Sequence, residues 1–226
     1  MGSFSRRRVL GAGAVVGLTG AVTLSAGRSS LAGQMGERGM GERGMGERVI
    51  ASRASDDRAN DAKILNGALY YEHQAIWAYQ FAATKLSDTD VGRAVLALAQ
   101  RNLADHMAHR DLLAQAVQSL GAMPVRAEQS YDLSAYIRQG EGNLDSDVNI
   151  AKLALALETD AAIAYTSEVS QLKTPDLISA GASIGSTESA HATAIRAAFV
   201  LLGVGIPYVP ASFVSADTRS DWVLRV

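Results

Sequence analysis

Four long segments of the chain carry apolar residues at steps of three and four, the period of an α-helix that packs on one face. They span roughly residues 61–86, 90–120, 148–173 and 175–202. Hydrophobic residues make up 48% of the chain, enough for a sizeable core, and only four prolines are present to break helices. The sequence therefore predicts an all-α domain.

The connections between these segments indicate how the helices are joined. The turn at residues 87–90 is short and rich in capping residues, so the first two helices should be antiparallel neighbours. Gly121 and Pro124 end the second helix, and Thr174-Pro175 starts the fourth directly after the third. More than 20 residues separate the second helix from the third. Two short-looped hairpins joined by one long crossover predict an antiparallel four-helix bundle.

Each predicted helix interrupts its inward apolar stripe near the middle with ionisable residues. These residues are Glu72 in the first helix, His106 and His109 in the second, Glu158 in the third, and Glu188 and His191 in the fourth. Any one of them alone is weak evidence, because buried histidines and paired glutamates are common in cores. Their occurrence at the same level of all four helices predicts a single site.

A buried carboxylate costs several kcal/mol unless it is neutralised, paired or bound to metal. Three imidazoles can partly balance three carboxylates, and no lysine or arginine lies on these stripes. Cysteine is absent, which excludes thiolate sites. A divalent cation fits this set of oxygen and imidazole ligands, with iron, manganese and zinc as candidates and with one or two ions. The alternative is a metal-free hydrogen-bond network.

The motifs Tyr71-Glu72-His73, His106-Met-Ala-His109 and Glu188-Ser-Ala-His191 resemble the ferritin-like superfamily. Its di-iron members bring one glutamate from each of two helices and Glu-x-x-His from each of the other two. The resemblance covers roughly residues 61–203 and implies a ferritin-like bundle, placed at residues 59–203, in which Glu72, His109, Glu158, Glu188 and His191 bind metal, with iron as the expected metal. His106 joins these ligands from the helical stripe alone. More narrowly, the chain is similar to exported bacterial ferritin-like domain proteins whose activity is poorly characterised.

The second helix departs from that di-iron pattern. It carries His106 where the pattern has a glutamate, and neutral imidazole offers one lone pair, so it cannot bridge two metals as a carboxylate does. Asp105 is the alternative ligand on this helix. A mononuclear site and a dinuclear site bridged by Glu188 alone both remain open.

The first 32 residues are predicted to be a twin-arginine signal peptide. Arg6-Arg7-Arg8 precedes Val9-Leu10 and an uncharged stretch rich in Gly, Ala and Val, with cleavage after Ala32 or Ala26. The predicted partner is the twin-arginine translocase and the predicted location is the periplasm. The alternative is an uncleaved membrane anchor, which the many glycines of the stretch disfavour.

The remaining segments are predicted to be a linker and a tail. Residues 33–58 contain three copies of Met-Gly-Glu-Arg and are expected to form a flexible linker, because glycine at this density disfavours helix. Residues 204–226 contain two prolines and Trp222 and are expected to form a strap along the bundle. The rest of the chain after residue 32 has 17 basic and 23 acidic residues, a net charge of −6 that gives no reason to expect nucleic-acid binding.

The leading hypothesis from the sequence is an exported metal-binding bundle that oxidises Fe(II) or handles peroxide or oxygen, as a di-metal or mononuclear oxidoreductase. The alternative is a metal-free structural or stress-related bundle of the cell envelope. Tyr79 and Tyr165, each seven residues past a predicted ligand, are expected to be neighbours of the site or ordinary core aromatics. The sequence leaves the oligomeric state open, a homodimer included.

Overall fold

A computed structural model describes the backbone of residues 40–226 and the side chains from residue 48 onward. All regular structure in this part of the chain is helical, and four helices are long, as predicted. The six α-helices are α1 (Met40–Ala83), α2 (Asp90–Ser119), α3 (Ser134–Arg138), α4 (Asp147–Glu168), α5 (Pro175–Leu201) and α6 (Arg219–Trp222). The prediction of an all-α bundle with one long crossover is confirmed, and α3 lies within that crossover.

The ends of the long helices follow the predicted capping residues. The Thr89 hydroxyl accepts a hydrogen bond from the Gly92 N–H at 3.0 Å, and the Ser146 hydroxyl accepts one from the Asn149 N–H at 3.2 Å. Pro175 occupies the first turn of α5, where its missing N–H costs nothing. Gly121, with φ of 85°, ends α2 in the left-handed conformation that glycine adopts without a steric penalty.

Helix α1 begins earlier than the sequence predicts. It starts at Met40, so residues 40–58 are helical where a flexible linker was expected, and residues 33–39 lie outside the described part of the chain. Side chains of residues 48–59 are exposed, including Ile50 at 70%. This extension therefore adds nothing to the core. It continues from the buried part of α1 because each residue added to an existing helix gains one backbone hydrogen bond.

Two apolar clusters form the core and leave a polar layer between them. Leu69, Leu113 and Ile184 belong to the first cluster, and Leu155, Ile195, Phe199 and Trp222 belong to the second. Along α5, Glu188 and His191 lie between Ile184 of one cluster and Ile195 of the other. The predicted site residues therefore occupy a layer with apolar packing on both sides.

The crossover and the C-terminal tail pack against the bundle through buried polar contacts. Arg219 donates two hydrogen bonds to the buried Glu141 carboxylate, at 2.6 and 2.7 Å, and two to Asp160 of α4, at 2.5 and 3.0 Å. The Arg196 guanidinium of α5 donates to the carbonyls of Pro207 and Trp222, at 3.1 and 2.5 Å. These contacts join the crossover, α4, α5 and the tail. Among the helices described here, none has the length and apolar character needed to cross a membrane.

Candidate metal centre

All four long helices contribute to one buried cluster of carboxylates and imidazoles. The structure brings together the six residues that the sequence singles out, Glu72, His106, His109, Glu158, Glu188 and His191. Five of them are buried, Glu188 completely so, and the His109 side chain retains 12% exposure. The helical stripes converge because each helix turns its most apolar face toward the bundle axis and carries these residues on the same face.

The cluster contains two overlapping groups of ligand-type atoms. In each group the oxygen and nitrogen atoms lie within 4.8 Å of one another. The first group is Glu72, His106, His109 and Glu188, and the second is His106, Glu158, Glu188 and His191. His106 and Glu188 belong to both groups, so these two residues decide how many ions the cluster can hold.

Glu188 lies between the two histidines that flank it. Its Oε1 is 2.9 Å from His109 Nδ1, and its Oε2 is 3.3 Å from His191 Nδ1. Neither carboxylate oxygen makes a hydrogen bond of acceptable angle, and neither does His109 Nδ1, although all three atoms are buried. Buried polar atoms are almost always satisfied, so these three need a further partner. Because one ligand-type atom of each residue in the first group lies within 4.8 Å of the others, a metal ion is a partner of the right kind.

His106 contacts two different carboxylates. Its Nδ1 is 2.8 Å from Glu72 Oε2 and its Nε2 is 3.2 Å from Glu158 Oε1. A neutral imidazole has one N–H and one lone pair, so it can bind metal through only one nitrogen while the other donates to a carboxylate. Glu188, with two free oxygens, is the residue that can bridge two ions.

The electrostatics of the cluster follow from burial and from the balance of three carboxylates against three imidazoles. Burial opposes protonation of His109 and His191, but the nearby glutamate carboxylates raise the pKa of His109 to about 9 and that of His191 to about 10. Burial also opposes ionisation of Glu158, yet His106 and His191 hold its pKa well below the ordinary value. Burial raises the pKa of Glu188, which makes this carboxylate the one most in need of a cation.

Two tyrosines support the glutamates in a reciprocal arrangement. The Tyr165 hydroxyl of α4 donates to Glu72 Oε1 of α1 at 2.5 Å, and the Tyr79 hydroxyl of α1 donates to Glu158 Oε1 of α4. Each tyrosine stands seven residues after the glutamate of its own helix and bonds the glutamate of the other helix. The sequence favoured ordinary core aromatics over neighbours of the site, but the structure places both hydroxyls against site glutamates. Each hydroxyl holds one carboxylate oxygen and so fixes the orientation of the carboxylate.

Two further residues of α2 take part, and sequence reasoning gave neither of them this role. Asn102 lies one turn before His106 and donates to Tyr79 Oη at 2.9 Å and to Glu158 Oε1 at 3.3 Å. Asp105 Oδ2 is 3.2 Å from His191 Nε2, the nitrogen that faces away from the cluster. Asp105 was predicted as the alternative ligand to His106, but the structure places it behind His191, where a carboxylate orients an imidazole ligand. His73 stays outside and contacts the Val125 carbonyl.

Comparison with known proteins places this bundle in a family. A family model described as a ferritin-like domain matches residues 60–200. The chain belongs to the ferritin-like domain family.

A solved structure supports the same fold. The crystal structure of a conserved hypothetical protein, rv2844, from Mycobacterium tuberculosis is similar with a TM-score of 0.54 and 24% identity, over 70% of this chain and 99% of that chain. At this level of identity the likeness shows the fold alone. No curated protein matches the sequence.

Within the ferritin-like frame, α2 is the helix that differs from the di-iron pattern. That pattern places Glu-x-x-His on two helices. Helix α5 keeps it as Glu188 and His191, whereas α2 has His106 and His109. The cluster is therefore richer in imidazole than the di-iron pattern and has one carboxylate fewer.

Proposed function

We propose that this ferritin-like protein binds a metal ion in the bundle core and that the metal is iron, held by Glu72, His106, His109, Glu158, Glu188 and His191. One observation carries the proposal. The two Glu188 oxygens and His109 Nδ1 are buried, make no hydrogen bond of acceptable angle, and belong to residues of one ligand group. A cation at the centre of the cluster would satisfy all three atoms at once.

The donor set supports iron, with manganese or zinc as the other candidates. Carboxylate oxygens and imidazole nitrogens suit these divalent ions, and the described cluster offers no thiolate that would favour softer metals. Glu188 is placed to bridge a pair of ions, and each of the two overlapping groups offers enough ligands for one ion. The proposal therefore covers one ion or two.

The proposed activity is oxidation of Fe(II) or handling of peroxide or oxygen. A bound iron ion would supply the redox chemistry. The residues of the chain hold it: Tyr79 and Tyr165 fix the carboxylates, and Asp105 orients His191. Apolar clusters pack on either side of the layer.

We also propose that the protein is exported through the twin-arginine pathway by residues 1–32 and works in the periplasm. The support is the Arg6-Arg7 pair followed by an uncharged stretch of small residues. This pathway carries folded proteins, which suits a protein that has bound its metal before export.

A test of the metal site compares Glu188→Gln with Glu168→Gln. Both variants exchange a carboxylate for an amide of the same shape, but Glu168 lies outside both ligand groups. Glu188→Gln removes a ligand that belongs to both groups. Loss of a residue that only supports a ligand weakens metal binding by roughly 10- to 100-fold, and we expect the loss of Glu188 to weaken it by at least that factor. Metal content after identical loading and desalting is the measurement. Equal metal content in Glu188→Gln, Glu168→Gln and wild type would contradict the proposal.

A metal-free bundle is the second candidate function, and one observation favours it. His106 touches both Glu72 and Glu158, and a protonated imidazole would donate to each carboxylate. Three protonated histidines would then balance three glutamates without an ion. In that case purified wild-type protein would contain no metal, and Glu188→Gln would change stability alone.

A further inference from the structure

A cavity of about 290 Å³ lies between α1 and α4 and reaches the metal-ligand cluster. Native interiors contain few voids larger than a water molecule, so a space of this size calls for an explanation. Its volume is close to the lower end of the range found for small-molecule sites. The cavity is therefore a candidate binding site beside the one already described.

Small side chains on the two facing helices create the space. Ala75 and Ala78 line it from α1, and Ala161 and Ala164 line it from α4. The reciprocal tyrosine contacts of Tyr79 and Tyr165 hold the two helices antiparallel on either side of this gap. The gap is thus a feature of the helix pair that carries Glu72 and Glu158.

The cavity connects the cluster with the outside of the bundle. At its inner end it is lined by Tyr79, His106 and Glu158, which are members or direct supports of the cluster. At its outer end it is lined by Tyr71, whose side chain is 53% exposed. Leu133 and Tyr136 of the crossover also line it, so the long crossover forms one of its walls.

The lining determines which kind of molecule fits. Most of it is apolar, formed by alanine, leucine, isoleucine and aromatic side chains. Its charged groups are the carboxylates of Glu158, Asp160 and Glu168, and no lysine or arginine is among the described residues that line it. An anionic ligand would meet three carboxylates and one imidazole, that of His106, in a largely apolar surrounding, which is unfavourable.

We propose that this cavity binds an uncharged, largely apolar small organic molecule and holds it against the His106 and Glu158 side of the metal centre. Such a molecule would displace water from the apolar lining and present part of its surface to the cluster. That this molecule is a substrate of the metal centre rests on the proposed function. That it binds in the cavity does not.

The test uses two probes of equal chain length, 1-octanol and octanoate, titrated into the purified full chain by calorimetry at pH 7. We expect 1-octanol to bind and octanoate to bind at least tenfold more weakly. Filling the cavity from either wall, with Ala161→Phe or with Ala78→Phe, should weaken 1-octanol binding at least tenfold. Ala182→Phe makes the same change at an exposed position of α5 and should leave binding unchanged. Because the two filling variants lie on different helices, 1-octanol binding can still be measured on one of them if the other fails to fold.

Metal content, measured on the same samples, separates the two proposals. If wild type binds 1-octanol but no metal, the cavity assignment stands and the substrate assignment falls with the proposed function. If metal is bound but 1-octanol is not, the cavity assignment is overturned and the proposed function stands. Equal binding of octanoate and 1-octanol, or equal binding of 1-octanol by wild type and both filled variants, would also overturn it.

Discussion

His106 is the residue at which α2 departs from the di-iron pattern, and it belongs to both groups of ligand-type atoms in the cluster. It contacts Glu72 through one nitrogen and Glu158 through the other. As a neutral imidazole it can give only one nitrogen to a metal. A glutamate at the same position would have two oxygens and a negative charge to offer to a second ion.

We predict that His106→Glu raises the number of iron or manganese ions bound per chain and that His106→Ala lowers it. The added carboxylate would restore Glu-x-x-His on α2, with residues 106 and 109 on the same helix face. Metal stoichiometry after identical loading is the measurement. His73→Glu is the matched control, because His73 contacts the Val125 carbonyl outside the cluster and its replacement should leave stoichiometry unchanged. No change in either His106 variant would show that His106 is not a ligand.

At the residue scale, the members of the cluster could be predicted from the sequence, but the roles of their neighbours could not. Helical periodicity fixes which residues share a face, so Glu72, His106 and Glu188 follow from spacing alone. Asn102 had no predicted role, and Asp105 was left as an alternative ligand to His106. Their hydrogen bonds depend on side-chain rotamers and on residues of other helices, which no local pattern contains.

The elements of the bundle are joined to the tail through Glu141, a buried carboxylate of the crossover. Arg219 of α6 donates to both of its oxygens and also to Asp160 of α4. The Arg219 hydrogen bonds hold the pKa of Glu141 below its ordinary value of 4.5. This ion pair therefore stabilises the folded state while Glu141 is ionised.

We predict that Glu141→Gln lowers the free energy of unfolding by about 2 kcal/mol, because it leaves a partly buried guanidinium with a weaker partner. Since the folded pKa lies below the unfolded one, the contribution of Glu141 is complete above pH 4.5 and is lost as the pH falls below that value. The difference between wild type and Glu141→Gln in denaturant melts should therefore narrow below pH 4.5. A difference that is constant or grows as the pH falls would contradict this assignment.

The long helices themselves were predictable because their ends carry local signals and their faces carry long stripes. Thr89 begins α2 and Gly121 ends it where the sequence indicates. The start of α1 was not predictable from glycine content, because an exposed extension is favoured by the helix it continues and not by its own composition. The cavity between α1 and α4 was also beyond the sequence, since it depends on how far apart two facing alanine-rich surfaces are held.

At the scale of the whole molecule, export by the first 32 residues and metal binding by the bundle can be tested separately. The predicted signal peptide lies outside the part of the chain that the structure describes, so the proposal of export rests on the sequence pattern of residues 1–32. We predict that the double variant Arg6→Lys, Arg7→Lys accumulates as precursor in the cytoplasm, because the arginine pair is the address that the translocase recognises. Cell fractionation with immunoblotting is the measurement, and Arg28→Lys, a change of the same kind outside the motif, should export normally. Wild-type levels of the double variant in the periplasm would contradict the twin-arginine assignment.

The central claim is that a metal ion completes the buried cluster, and thermal unfolding of the purified wild-type chain with and without a chelator tests it most directly. A ligand that binds only the folded state at 1,000 times its dissociation constant stabilises it by about 4 kcal/mol, or about 10 °C in Tm for a chain of this size. We predict a decrease of about that size on chelation, reversed by adding back the metal, in protein that contains at least one ion per chain. An unchanged Tm, in protein that contains well below one ion per chain, would contradict the claim and leave the three histidines as the counter-charges of the three glutamates.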